Sequence, residues 1–482
     1  MHMVNGKTQK SAQAQGEQLQ LTRILDRVRE LLRHEIGIEA GEKVVLGVSG
    51  GVDSMVLLDV FYRLSESLGI GLHLAHLDHR LRPESATDGD FVEKISRERG
   101  LGFTRAEEEV ARVARQRGWS LEEAGRWLRY RFLDRVAQEQ NSTKIALGHH
   151  ADDQAETVLL RLLRGSGTAG LGAMELARGG RYLRPLLGFQ RAEIEAYAQA
   201  GWVEFIEDIS NRDPRFIRNR IRKELIPHLQ QHYNPNIVQV LGRTAQILKD
   251  EDRFLNETVQ GELDVVVHKS DEHKIILDAE QFLDYHIAVQ RRIIRTILQG
   301  LSKREGPFDF ARIETVLELM SRDAGVHEIG SGLRAQRAGK FFFLYHGKAP
   351  AVAQDIQIPG VAKIPSRGLF LRAQLLPVRT FAELKSRLGG ARAAFDADLI
   401  GPHLQVRSPR PGDRFQPLGM KGHKKVSDFL IDRKWPRILR DEVLLLARGD
   451  EVVWIVGLRP NHRCRVNCNT NEIALLELGQ MD

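Results

Sequence analysis

Eight residues, Gly47 to Ser54, join an apolar run to an amphipathic one, and they narrow the folds open to this chain more than any other stretch. Lys43-Val44-Val45-Leu46 reads as a strand and Met55 to Leu64 as a helix. Gly47-Val48-Ser49-Gly50-Gly51-Val52-Asp53-Ser54 between them is then a strand end, a glycine-rich turn and a helix start. Two adjacent glycines let the backbone approach an anion closely, and the N–H groups opening the helix point at it with a favourable dipole. Phosphate is the expected guest. The Lys-Ser/Thr pair that closes a Walker A loop is absent, and Asp53-Ser54 stands in its place.

A chain of 482 residues exceeds one hydrophobic core and divides into about three domains. From Leu21 to about 230, apolar strands near 43–48, 71–77, 102–104 and 144–148 alternate with longer helical stretches. That alternation predicts an α/β domain with a parallel sheet and crossover helices. Ligands in such sheets bind at the carboxyl ends of the strands. Residues 1–20 read as a flexible tail. Residues 231–345 show helical spacing and predict a mainly helical domain, 346–395 read as a linker or irregular edge around Pro350, Pro359 and Pro365, and 396–482 read as a small β-rich α+β domain with a short helix near 426–431.

The second segment with chemical content is His149-His150-Ala151-Asp152-Asp153-Gln154-Ala155-Glu156-Thr157, following the strand Lys144 to Gly148. Asp153 and Glu156 share a helical face, and His149 lies at the strand end. Such a group can hold Mg²⁺ through carboxylates or orient a nucleophile; a solvated acidic helix start would account for Asp152 and Asp153 but not for two histidines. Ser120 and Glu123 have capping-box spacing, and Glu123, Arg126, Arg129 and Tyr130 follow at helical intervals that surface ion pairs would equally produce. Arg164 to Gly172 is glycine-rich, fitting either a lid over a polyanion or a plain helix stop. Residues 208–224 carry six basic side chains against three acidic, and Arg215, Arg218 and Arg222 can line one side of a helix. Arg407 to Arg440 hold ten Lys or Arg against three Asp, interleaved with Phe415, Phe429 and Trp435, a pattern suited to RNA.

The net charge of +7 is a mild excess whose meaning lies in these clusters. Two cysteines, Cys464 and Cys468, cannot complete a zinc or iron–sulfur site and fit a reducing compartment. No apolar run reaches a membrane span, and residues 1–20 hold five Gln without an apolar core, so a cytoplasmic location is expected.

The Ser49–Ser54 loop resembles the pyrophosphate loop, or PP-loop, of N-type ATP pyrophosphatases. With His149 to Thr157, Arg164 to Leu171, Asp208-x-Ser210-Asn211 with Arg218-Asn219-x-Ile221-Arg222, and Gly412-Asp413-Arg414-Phe415-x-Pro417 with Lys421-Gly422-x-Lys424-Lys425, the chain resembles the tRNA(Ile)-lysidine synthetase family of the long three-domain bacterial type. The resemblance spans about residues 21–460. It implies ATP-dependent joining of free L-lysine to C2 of the wobble cytidine in an isoleucine tRNA with a CAU anticodon, through an adenylated cytidine, with release of AMP and pyrophosphate. Carried onto this sequence, Ser49, Gly50, Gly51, Val52, Asp53 and Ser54 would hold the ATP phosphates, with Mg²⁺ near Asp53 and Asp153. Asp53, Arg126, His149, Asp153 and Glu156 would be catalytic, the last two suiting the lysine cation. Arg218, Arg222, Arg414, Lys421, Lys424 and Lys425 would contact tRNA, and a homodimer is a family expectation. Thr168-Ala169, and Asp441-Glu442 after Arg440, depart from the family pattern.

Three rival functions fit parts of the sequence. A tRNA thiolase would need a cysteine near the loop domain, and residues 1–463 have none. A metal-dependent phosphohydrolase could use Asp78-His79 with the His149 segment, but Arg80 stands where a second histidine would be. A noncatalytic tRNA-binding protein would not need the intact loop.

Overall fold

The computed structural model describes residues 21–80, 85–206, 217–271, 273–301, 310–322, 325–330, 332–347 and 350–481. Asp208, Ser210, Asn211 and Arg215 lie outside the described residues, as does the segment 1–20. The chain divides into two compact units, Met1–Phe254 and Leu255–Asp482.

In the first unit, β1 (Lys43–Gly47), β2 (Gly71–Asp78), β3 (Gly102–Glu107), β4 (Lys144–Leu147), β5 (Ala177–Arg178) and β6 (Tyr182–Leu183) form one sheet in the order β3-β2-β1-β4-β6-β5. All neighbours run parallel except the short β5–β6 pair. The helices that matter for the site are α1 (Val52–Leu68), α2 (Ser85–Glu98), α3 (Leu121–Glu139), α4 (Ala151–Leu163) and α5 (Arg191–Ala200). Val44 and Leu46 of β1 point into the core under α1, and Val45 points to the opposite core under α3. Successive strand residues face opposite sides, so a strand covered on both faces reads as an unbroken apolar run. Helix α1 buries most of its length, and even Asp59 is enclosed, accepting from Arg63 Nε at 2.6 Å, Arg99 Nη2 at 3.1 Å and the Tyr197 hydroxyl at 2.9 Å. The Ser120–Glu123 capping box forms as expected and opens α3.

β1 lies between β2 and β4, so the chain leaves β1 and β4 to start α1 and α4 at the point where the sheet order reverses. That switch point is where an open α/β sheet leaves a crevice.

The second unit begins within α6 (Ile237–Val266) and holds its last turns, then α7 (Ile287–Leu301) and α8 (Phe310–Ser321), in keeping with the helical spacing. It also contains a five-stranded antiparallel sheet, β7-β8-β11-β10-β9, from Val267–Ser270, Lys274–Asp278, Phe341–His346, Leu333–Ala338 and His327–Gly330. The stretch 346–395 is not an irregular linker. Ala353–Gln357, Gly360–Ile364, Leu369–Pro377 and Arg392–Asp396 are strands, and three of them form one sheet with the terminal strand Glu472–Gln480. Ile356, Leu371, Phe395 and Trp454 share the core there, so its prolines mark strand ends. The predicted short helix is Val426–Asp432.

Candidate active site

Gly50 carries the turn out of β1 with φ +92°, a conformation that a side chain would strain. Gly51 is the N-cap of α1, and its carbonyl accepts from the Ser54 and Met55 N–H groups and from Ser54 Oγ at 2.9 Å. Ser54 Oγ also accepts from the Ser49 N–H at 3.1 Å, so one hydroxyl fixes the loop's width from inside. The loop is braced by the Ile206 N–H, which donates to Gly50 O at 2.9 Å. Across the switch point, Gly148 ends β4 so close to α1 that a Cβ there would sit 2.9 Å from Asp53 O and 3.1 Å from Ser54 N. Only a residue without a side chain lets the two helix starts converge.

From the second start, His150 enters a cage of three carboxylates, with its ring nitrogens 3.7 Å from Asp53, 3.5 Å from Asp152 and 3.4 Å from Asp153. Burial disfavours the imidazolium, but Asp152, Asp153 and Asp53 outweigh it and raise the His150 pKa. Burial pushes His149 down to about 3 and His79 down to about 4, so both are neutral near pH 7. Burial also opposes ionisation of Asp153, yet His150 and Arg218 overcome it and hold that carboxyl at about 2. Burial raises the Asp53 carboxyl against the opposing pull of His150 and Arg191.

Arg218 and Arg222 come from a helical run that contains one π turn, Ile221–Leu225, closed by the Ile226 N–H on Ile221 O. The turn absorbs an extra residue, so Ile221 and Ile226 both pack against Ala155 and Leu159 of α4 while the arginines face its acids. Arg218 Nε lies 2.8 Å and Arg222 Nε 2.5 Å from the two oxygens of Glu156, which is wholly buried, and both Nη2 atoms reach Asp153 Oδ1. Two carboxylates are thus matched by two guanidiniums. Arg191, at the start of α5, donates Nη1 to Asp53 Oδ2 at 2.9 Å and its N–H to Asp152 Oδ2 at 2.8 Å.

These groups line an open cleft of about 700 Å³, a size that takes a nucleotide and part of a second substrate. Its apolar part includes Val52, Ala75, Leu77, Phe132, Leu133 and Leu147; its polar part includes Ser49, the Gly51 backbone, Asp53, Ser54, His149 and Asp153. Gly50 is buried behind the turn, and Glu156 lies beneath Asp153. Arg126 is not in the lining: its guanidinium lies over the Tyr130 ring, and Arg129 lines the cleft from the same helix. Arg218 and Arg222, expected to contact tRNA, turn inward to pair Asp153 and Glu156 and line the cleft. His150, Arg191 and Phe205 complete the wall without having been singled out in the sequence. Nothing local marks Arg191, whose role depends on α5 meeting α1; His150 could have been found as the second histidine of a pair at a helix start.

Of the two carboxylates expected near Mg²⁺, Asp153 has both oxygens engaged, Oδ1 by the arginines and Oδ2 by the His150 N–H at 3.1 Å. Asp53 Oδ1 is buried without a hydrogen-bond partner. One spare carboxylate oxygen facing a phosphate loop fits Mg²⁺, which is usually held by one or two carboxylates plus substrate phosphates. Among the described residues no three His, Cys, Asp or Glu side chains gather as a protein-only metal set.

The basic segment of the second unit is a short hairpin in which Arg414 pairs with Lys425 and Phe415 with Lys424. It is anchored by the enclosed Arg407–Asp413 pair, at 2.7 and 2.8 Å, and by Phe415 against Phe429. Arg414, Lys421 and Lys425 are exposed, while Lys424 is ion-paired with Asp432. No helix among the described residues is long and apolar enough to cross a membrane.

A PP-loop domain model matches residues 20–229, and a TilS substrate C-terminal domain model matches residues 404–475. A tRNA(Ile)-lysidine synthase of Symbiobacterium thermophilum is 37% identical over 93% of this chain and 96% of its own length. Another, of Geobacter sulfurreducens, is 34% identical over 94% and 97%. Among solved structures, the U34-tRNA thiolase NcsA from Methanococcus maripaludis covers 48% of this chain and 80% of its own, at 18% identity and a TM-score of 0.41. With near-full-length relatives of that identity and a glycine-rich loop set at the switch point of a parallel sheet, the chain belongs to the tRNA(Ile)-lysidine synthase family of PP-loop enzymes.

Proposed function

We propose that this chain uses ATP to join the ε-amine of free L-lysine to C2 of the wobble cytidine in an isoleucine tRNA with a CAU anticodon. The observation that carries the reading is the meeting of the Ser49–Ser54 loop with His149, Asp153 and the spare Asp53 oxygen in one cleft. The glycine turn and the first N–H groups of α1 would receive the ATP phosphates, with the adenine against the apolar wall. Mg²⁺, when bound at Asp53, would neutralise phosphate charge. The cytidine C2 oxygen attacks the α-phosphorus and pyrophosphate leaves. The deprotonated amine then adds to C2, and the C2–O bond breaks with AMP keeping the oxygen and the electron pair.

The charge arrangement revises how lysine would be met. Because Arg218 and Arg222 already neutralise Asp153 and Glu156, those acids do little to favour the ammonium form, which helps an amine that must attack as the free base. Neutral His149 at the strand end is placed to donate or accept a hydrogen bond at the reacting base. The basic hairpin of the second unit would hold the tRNA body, supplying selectivity that one cytidine cannot.

The test is transfer of radiolabelled lysine by purified protein with Mg-ATP to an isoleucine tRNA transcript with a CAU anticodon, beside the methionine tRNA sharing that anticodon. Label on the isoleucine tRNA alone, with stoichiometric pyrophosphate, is expected. Pyrophosphate release without lysine transfer would keep the loop chemistry and discard the lysine acceptor reaction.

A further inference from the structure

Outside the cleft lining, Tyr130 of α3 packs edge-on against Tyr182 of β6, ring centres 4.8 Å apart. Three arginines, Arg126, Arg178 and Arg184, gather around it, and a fourth, Arg161, lies close to Arg126 and Arg178. Arg184, 1% exposed, donates Nη2 to the Tyr130 hydroxyl at 3.0 Å and Nη1 to Glu175 O at 2.7 Å, while its Nε is buried without a partner. Arg126 lies over the same ring, 5.0 Å from its centre, with Nη2 3.4 Å from the hydroxyl. Arg178 sits opposite Tyr182 in the β5–β6 pair. Arg161 comes from the end of α4 and donates to Gly170 O at 2.5 Å and Ala173 O at 3.1 Å, fixing the glycine-rich loop to the cluster.

None of the four makes an ion pair with a carboxylate among the described residues; Asp134, one turn along α3, is taken by Arg181 at 3.0 Å. The crowding is mutual. Burial, then Arg126 and Arg178, lower the Arg161 pKa, and the cations around Tyr130 outweigh its burial and pull the phenol down. Unbalanced like charges held together by rigid elements are a preformed anion site, and guanidinium forks match phosphate oxygens two at a time. The anion is not the cleft's nucleotide, because none of the four side chains lines the cleft.

We propose that Arg126, Arg161, Arg178 and Arg184 form a binding site for an RNA phosphodiester beside the reaction cleft, gripping the strand that carries the target base. Exposed Arg126 and Arg178 make the contact, and half-buried Arg161 and buried Arg184 set the field behind it. The site rests on the reading that RNA is the substrate.

The test compares the unaltered protein with the R126A/R178A and R126K/R178K doubles, measuring tRNA affinity across a salt series and the KM for ATP. Both side chains are exposed, so melting temperatures should match. The alanine double should flatten the slope of log affinity against log salt by about one, as loss of one or two phosphate contacts does. The lysine double should restore most of it, and the KM for ATP should not move. An unchanged slope overturns the site, and a raised KM for ATP with an unchanged slope assigns the cluster to the nucleotide and overturns it equally. If the unaltered protein binds no tRNA at all, the functional reading fails and the site with it.

Discussion

Gly148→Ala tests whether the two helix starts must meet as closely as they do. The added methyl would stand 2.9 Å from Asp53 O, 3.0 Å from Asp53 C and 3.1 Å from Ser54 N, all backbone atoms that cannot swing aside. Ordinary contacts lie near 3.5 Å, so β4 and α1 must part by roughly half an ångström. Overpacking of that kind costs about 1 to 3 kcal/mol. In a unit of some 250 residues this lowers the melting temperature by about 2 to 12 °C. The same displacement moves Asp53 relative to His149, and misplacements on this scale cost about tenfold to a hundredfold in rate. Gly51→Ala is the matched control: its Cβ would meet only Ser49 Oγ, at 3.7 Å, and its φ of −73° suits alanine. That variant should melt like the unaltered protein while weakening ATP, because its methyl projects into the phosphate cradle. The assays are thermal unfolding and ATP-dependent pyrophosphate release. If Gly148→Ala keeps its melting temperature within a degree or so and its kcat/KM within about twofold, the close approach does not position the loop.

Asp53→Asn should abolish pyrophosphate release while leaving tRNA affinity nearly unchanged; equal loss of both would mean the site is misplaced. His79 and His149 have folded pKa values of about 4 and about 3, below the unfolded value near 6.5, so their contribution to stability is complete above that pH and is lost as pH falls toward those values. Urea midpoints should therefore drop between pH 7 and 4, and His79→Gln should make the drop shallower; an identical pH profile would count against the burial argument. Replacing Arg414, Lys424 and Lys425 with Ala should weaken tRNA binding and its salt dependence, with Lys424, already ion-paired to Asp432, contributing least in single variants. Lys274 is buried with its ammonium 2.7 and 2.8 Å from the Glu442 oxygens. Glu442→Ala should cost roughly 2 kcal/mol, less than full burial would imply because Glu442 keeps some exposure, and K274M/E442L should recover most of it; a double variant no better than the single would refute the pairing argument. This pair also gives a structural use to Glu442, one of the residues that departs from the family pattern.

The loop was legible because its chemistry is local: two glycines, a strand before and a helix after leave little choice. Strands 43–47, 71–78 and 144–147 were legible because burial on both faces writes them as apolar runs. The strands at 267–270 and 353–357 were not, because they are mostly exposed and carry little apolar pattern; the first exists by hairpin pairing with 274–278 and the second by pairing with the distant strand 403–407. The same distinction separates the site residues. His149, Asp153 and Glu156 lie within two turns of the helix start that advertises them. Arg191 meets Asp53 across 138 residues, and Arg218 meets Glu156 across 62, so their use depends on packing that no local spacing reports. Arg126 and Arg129 differ by under one turn, and helical periodicity alone could not say which faces the cleft.

The π turn at Ile221–Leu225 means that this short helix keeps two phases. Its downstream phase is set by Ile226 and Leu229 against the hydrophobic core, its upstream phase by Arg218 against the acids of α4. An ordinary helix turns about 100° per residue, so deleting one residue there would satisfy either the core or the acids and turn the other away by that angle. The segment's length, to the single residue, is therefore part of the active site's specification, and neighbouring loops that can gain or lose residues freely are not under that constraint.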